Sequence, residues 1–260
     1  PWSWKYFSTP TWFKVLAMHL VSFSVIGIGL WLYRRRLEVL AQAVVGLGIF
    51  AWYGTALAAL RTFNFYGEMF GENKYIVTAV ECSLITLVAI FFAVRRRSVA
   101  IILVGALGGY LNPILTSRGD GDYVVLFLYL AFLNVGLIAS AILRQWNFLK
   151  LLALLATAMM FVAWISRAAE IAVWPLEWLA VLHGLIFWVG VTLPPLRGRQ
   201  TTGAIDLLTL AGTSTGYMAL TWYLFEGFAS RQLGLVAGGL GLIHVALFLI
   251  TRLIPPAKRM

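Results

Sequence analysis

Charge is what this chain has least of. Charged residues fill 12% of its 260 positions, about half the roughly 25% of an ordinary soluble domain. Hydrophobic residues fill 61% and the mean hydropathy is +0.88, which excludes a simple water-soluble globule. Cysteine is nearly absent. Cys82 stands alone, so an internal disulfide and a thiolate metal cluster are both excluded. Inside its apolar run it reads as a small packing residue. His19, His183 and His244 are the only histidines. They fall in separate apolar runs without metal-ligand spacing, so interhelical hydrogen bonding is expected and no metal or other cofactor. Haem ligation by His183 and His244 would need facing helices at matched depth. Catalytic motifs are missing too. The chain has no GxSxG elbow, no HExxH and no GxxxxGK(S/T) loop. The glycines of GLVAGGLGL belong to an apolar run and not to a nucleotide-binding turn. No catalytic residue is assigned.

Basic residues, by contrast, are present and ordered. Arg34, Arg35 and Arg36 follow one apolar run, and Arg95, Arg96 and Arg97 follow another. Arg144 with Lys150, Arg197 with Arg199, and Arg252 with Lys258 and Arg259 come later. The pI of about 10.1 does not indicate nucleic acid, because the bases are spread over successive loops and form no single patch. A transmembrane helix needs about 20 apolar residues. The candidates are 13–33, 38–60, 75–94, 98–116, 123–143, 148–166, 174–195, 203–226 and 232–251. Threaded as nine spans, the chain puts all the clusters on one face, with 13 of its 20 bases and only Glu38 and Asp206 among the acids. Short basic loops stay cytoplasmic. The expectation is therefore an all-α polytopic bundle, 1–260 forming a single transmembrane domain, with the N-terminus outside and the C-terminus cytoplasmic. Residues 1–12, with Trp2, Trp4, Tyr6 and Trp12, read as an aromatic interfacial segment. They lack the pattern of a signal peptide. A start at Pro1 suggests a processed, truncated or excised chain. The outer loop 61–74 reads as a connector and not as a surface helix.

The arginine clusters open a weak repeat. RRRLEVLAQAVVGLGIF, RRRSVAIILVGALGGYL, RQWNFLKLLALLATAMM and RGRQTTGAIDLLTLAGT start at 34, 95, 144 and 197, a pattern of stacked helical hairpins. Basic turns produce much of it without duplication. Six glycines, Gly105 with Gly109, Gly212 with Gly216 and Gly234 with Gly238, form pairs four residues apart. Such small-residue faces let helix backbones approach in lipid, within one chain or across a dimer seam. In VGALGGYLNPIL, Pro113 removes a backbone donor and is expected to kink or end its helix.

The segments ALGGYLNPILTS (106–117) and LFLYLAFLNVGLIASAILRQWNFLKLLALLAT (126–157) carry a resemblance. With Gly108, Gly109, Pro113, Asn134 and Gly136 as landmarks, the chain resembles a family of large, uncharacterised bacterial polytopic membrane proteins over about 30–195. RRRLEVLAQAVVGLGIFAWYG is similar as well. The resemblance implies an all-helical protein of the bacterial inner membrane and supplies no catalytic residue. Members are expected to be longer, so that this chain is a short relative or a segment.

Polar groups within a span are costly and are site candidates by default. Glu81 and His19 lie at similar outer depth, Asn112 near the outer end of the fourth span, and Glu177 near that of the seventh. Glu81, Asn112, His19 and Pro113 are the candidate lining of an outward-facing polar cavity for a substrate or lipid. The alternative for Glu81 is an interhelical bond. Asn134 reads as interhelical glue, and SRGDGD (117–122) as a solvated turn lacking the closing Glu of a calcium loop. Asp206 and Glu38 are expected to pair with neighbouring arginines. Arg34–Arg36 and Arg95–Arg97 set topology and can contact anionic lipid. The first functional expectation is a structural or accessory subunit of a larger membrane assembly, with membrane lipids and other membrane subunits as partners. The second is a transporter or lipid-handling protein, and the third an intramembrane enzyme on a lipid-linked substrate.

Overall fold

The structure is a computed structural model that describes residues 10–116, 123–166, 173–196 and 203–224. All regular structure among the described residues is helical. The long helices are α1 (Thr11–Arg34), α2 (Glu38–Arg61), α4 (Lys74–Arg96), α5 (Val99–Thr116), α6 (Tyr123–Arg144), α7 (Phe148–Ile165), α8 (Val173–Leu196) and α9 (Ala204–Leu224). A short helix, α3 (Phe65–Phe70), stands between α2 and α4. Seven helical stretches, one of them running from Phe65 through α4 to Arg96, are long and apolar enough to cross a membrane. The eighth long helix, α9, is diluted by Thr209, Thr213, Ser214, Thr215 and Thr221. The expected ninth span, 232–251, lies outside the described residues, as do Gly234, Gly238, His244 and nearly all of the aromatic segment 1–12.

The expected connector at 61–74 is not a plain loop. Asn64 takes a left-handed backbone conformation (φ 50°), and α3 follows, then a 3-10 turn over Gly71–Asn73. Six residues with a glycine among them would not hold a helix in isolation. Tyr66 supplies the anchor by burying its ring against Val15, Ala59 and Leu60.

The chain divides into two compact units, 1–121 and 122–260. In the first, α1 packs along α2, and α4 and α5 pack on each other and on α2. Glycine sets the closest approaches. A Cβ on Gly29 would lie 2.8 Å from the backbone nitrogen of Val45, and one on Gly48 2.8 Å from that of Ile26. A Cβ on Gly105 would lie 2.6 Å from that of Ala89, and one on Gly108 would run into the Tyr53 ring. In the second unit, α6 packs on α7 and α8, and α9 completes the group against α7 and α8. Phe127, Leu130, Leu137, Leu149, Leu176 and Phe187 are buried there.

The basic turns share one geometry. Arg36 (φ 60°), Arg97 (φ 54°) and Gln145 (φ 60°) each stand in the left-handed region after α1, α4 and α6. In each case the next amide reaches back five residues: Leu37 to the Leu32 carbonyl, Ser98 to Ala93 and Trp146 to Ala141, at 3.0–3.2 Å. This is the helix-ending bond usually made around glycine. Three starts of the sequence repeat thus coincide with one turn used three times; the fourth, at Arg197, lies outside the described residues.

Candidate functional site

Glu81 is the meeting point of four helices in the first unit. It lies seven residues into α4, about 10 Å along the axis. Its Oε1 is 2.8 Å from His19 Nε2 on α1 and accepts the indole N–H of Trp52 on α2 at 3.0 Å. Its Oε2 accepts the Tyr66 hydroxyl from α3. His19 Nδ1 lies 2.9 Å from the carbonyl oxygen of Val15, which can only accept, so that nitrogen carries a hydrogen. The Nε2···Oε1 contact then holds one shared proton. The pair is not sealed, with side chains 19% and 17% exposed.

Of the four residues expected around an outer cavity, the structure joins two directly, His19 and Glu81. Asn112 belongs to the α4–α5 packing: its side-chain amide donates to the Ala79 carbonyl at 3.2 Å, two residues before Glu81. The Thr116 hydroxyl in turn donates to the Asn112 carbonyl at 2.8 Å. Pro113 lies inside α5, three positions before its last residue, Thr116. A recess of about 390 Å³ does open at this end, but Asn64, Gly67, Gly71, Glu72, Lys74 and Tyr75 line it. Trp52 and Tyr66 were not legible as partners of Glu81. Each is one aromatic among many, and only the packing of α2 and α3 on α4 selects them.

The expected helix-packing glycines divide similarly. Gly105 and Gly109 are buried in α5. A Cβ on Gly212 would lie 2.9 Å from the Leu154 side chain, whereas one on Gly216 would meet nothing within 4 Å among the described residues.

Arg34, Arg35, Arg36, Arg95, Arg96 and Arg97 come together at one end of the first unit. The Arg96 guanidinium lies 4.7 Å from the centre of the Tyr33 ring, joining the α4–α5 turn to the end of α1. Arg35 covers Trp31 at 5.1 Å. At the opposite end, Arg61 donates to the Leu115 carbonyl at 3.1 Å.

The second unit holds its own polar junctions. Glu177 on α8, 7% exposed, accepts hydroxyls from Tyr217 and Thr221 on α9. Asp206, expected to pair with an arginine, instead meets Lys150 at 2.8 Å, with both side chains at most 2% exposed. Its other oxygen accepts the Gly203 amide at the start of α9, at 3.1 Å. Asn134 donates to Thr157 at 2.8 Å and so does join α6 to α7. His183 lies edge-on to Phe127 and Phe161, with Nδ1 on the Leu179 carbonyl at 2.8 Å. No group of three or more metal-binding side chains occurs among the described residues.

The chain, with basic turns and, among its described residues, only helical structure and seven stretches able to span a membrane, matches one known family. Residues 7–258 fit the family described as "Predicted membrane protein (DUF2339)". The chain belongs to that family. Membership establishes a membrane protein of unknown function, in agreement with the resemblance carried by GGYLNP and LNVG. No curated protein and no solved structure matches the chain.

Proposed function

We propose that this member of the family is a structural or accessory subunit of a larger membrane assembly. The observation that supports this reading is the way its helix carboxylates are used. Glu81, Glu177 and Asp206 are each engaged by side chains of their own unit. Such bonds fix helices against one another. Large side chains such as Phe50, Phe91, Val162 and Trp222 face outward, 63–67% exposed. That surface suits lipid and the helices of partner subunits alike.

The same reading takes the chain as nine spans with the C-terminus cytoplasmic, in a bacterial inner membrane. Its support is the gathering of both arginine triplets at one end of the first unit, as short cytoplasmic loops require. Reporters fused after Arg36 and after Asp120 should read cytoplasmic and external; the reverse would overturn the orientation.

A second reading, transport or lipid handling from the outer side, draws on the partial exposure of the His19–Glu81 pair. Gentle purification from native membranes separates the two. Fixed protein partners that persist in Glu81→Gln support the subunit. A lone protein whose lipid or solute movement stops in Glu81→Gln supports the transporter.

A further inference from the structure

We propose that the two arginine turns of the first unit form one clamp for a phospholipid headgroup bearing two linked phosphates. Two helix ends separated by 60 residues of chain, Arg36 and Arg96, are brought to the same end of the unit. All six basic side chains of these turns are exposed. Glu38 is the one acid beside them in sequence among the described residues. The turns are held in place and not merely tethered. The left-handed residues Arg36 and Arg97 set the exit of each helix, and the Arg96 guanidinium rests on the Tyr33 ring. The Tyr33 hydroxyl is buried and has no hydrogen-bond partner among the described residues, leaving a donor at the seam between the turns.

Topology alone asks only for positive charge, which lysine supplies equally well. Guanidinium adds planar, two-pronged donation to phosphate oxygens. α2, which follows the first triplet, packs on α4, which carries the second; packed helices lie about 8–10 Å apart, so two triplets on these turns suit two connected phosphates better than one. The inference rests on the chain spanning a membrane, but not on which way it points or on whether it has protein partners.

The test compares full-length protein in phosphatidylcholine nanodiscs containing cardiolipin or twice the molar amount of phosphatidylglycerol, which equalises phosphate. Retained lipid is read by native mass spectrometry and stabilisation by Tm. Wild type should retain cardiolipin preferentially and gain more in Tm from it. The charge-preserving variant R34K/R36K/R95K/R97K should lose about tenfold in cardiolipin retention, falling towards the phosphatidylglycerol level. Equal retention of the two lipids by wild type would overturn the clamp, and this arm stands even if the variant fails to fold. So would undiminished cardiolipin retention in the variant. A reversed reporter result with cardiolipin preference intact would overturn only the orientation.

Discussion

Lys150 on α7 and Asp206 on α9 form an ion pair 2.8 Å long that is almost wholly withdrawn from the surface of its unit. A buried pair is expensive to create and more expensive to break, because the survivor is left as an uncompensated charge. Lys150→Met or Asp206→Asn should each destabilise the protein by about 3–5 kcal/mol, while the double replacement by apolar residues should recover most of that loss. Unfolding in mild detergent, followed by Tm or denaturant midpoint, checks this. A single variant as stable as wild type would show that the pair contributes nothing.

The Glu81 junction calls for a different cycle. Trp52 and Tyr66 donate to different oxygens of Glu81, so Glu81→Gln keeps an acceptor for one of them and should cost about 1 kcal/mol, whereas Glu81→Ala leaves both part-buried donors unpaired and should cost about 2–3 kcal/mol. His19→Ala combined with Glu81→Ala should show a coupling of about 0.5–3 kcal/mol, as contacting residues do. Strict additivity in that double-mutant cycle would mean that the contact is energetically idle.

Glycine packing predicts a contrast within one chain. Gly48→Ala should destabilise by about 1–3 kcal/mol, because the new methyl meets the Ile26 backbone, which cannot rotate away. Gly216→Ala, where a Cβ meets no described residue, should leave stability unchanged or slightly raised. Equal effects at the two positions in thermal unfolding would refute the close α1–α2 approach.

The shared turn geometry makes a stabilising prediction. Gln145 occupies a left-handed conformation that costs a side-chain-bearing residue on the order of 1 kcal/mol. Gln145→Gly should relieve it and raise the Tm without altering the charge of the basic end. A lowered Tm would indicate that the Gln145 side chain contributes more than its backbone strain removes.

The helices themselves were legible in the residues. The expected spans 38–60, 98–116 and 148–166 agree within one residue at each end with Glu38–Arg61, Val99–Thr116 and Phe148–Ile165. Long apolar runs bounded by arginine leave the backbone little choice, because its polar groups must bond internally when no water is available. Glu81 and His19 were legible as candidates for the same reason: an ionisable group in such a run is conspicuous. Their partners were not. Trp52 and Tyr66 look like any other aromatic until α2 and α3 are docked, and α3 exists only because Tyr66 finds a core to enter.

Pro113 shows the limit from the other side. A proline in a glycine-rich span promised a kinked or ended helix, and α5 ends three positions later at Thr116, but its attachment to α4 through Asn112 and the Ala79 carbonyl was not legible. Local chemistry alone determined membrane character, the long helices and the positions of the basic turns. Which polar groups meet, that Lys150 and not an arginine answers Asp206, and which glycines touch a neighbour were decided by tertiary packing. These are contacts between residues tens of positions apart, and periodicity along one helix carries no information about what lies across from it.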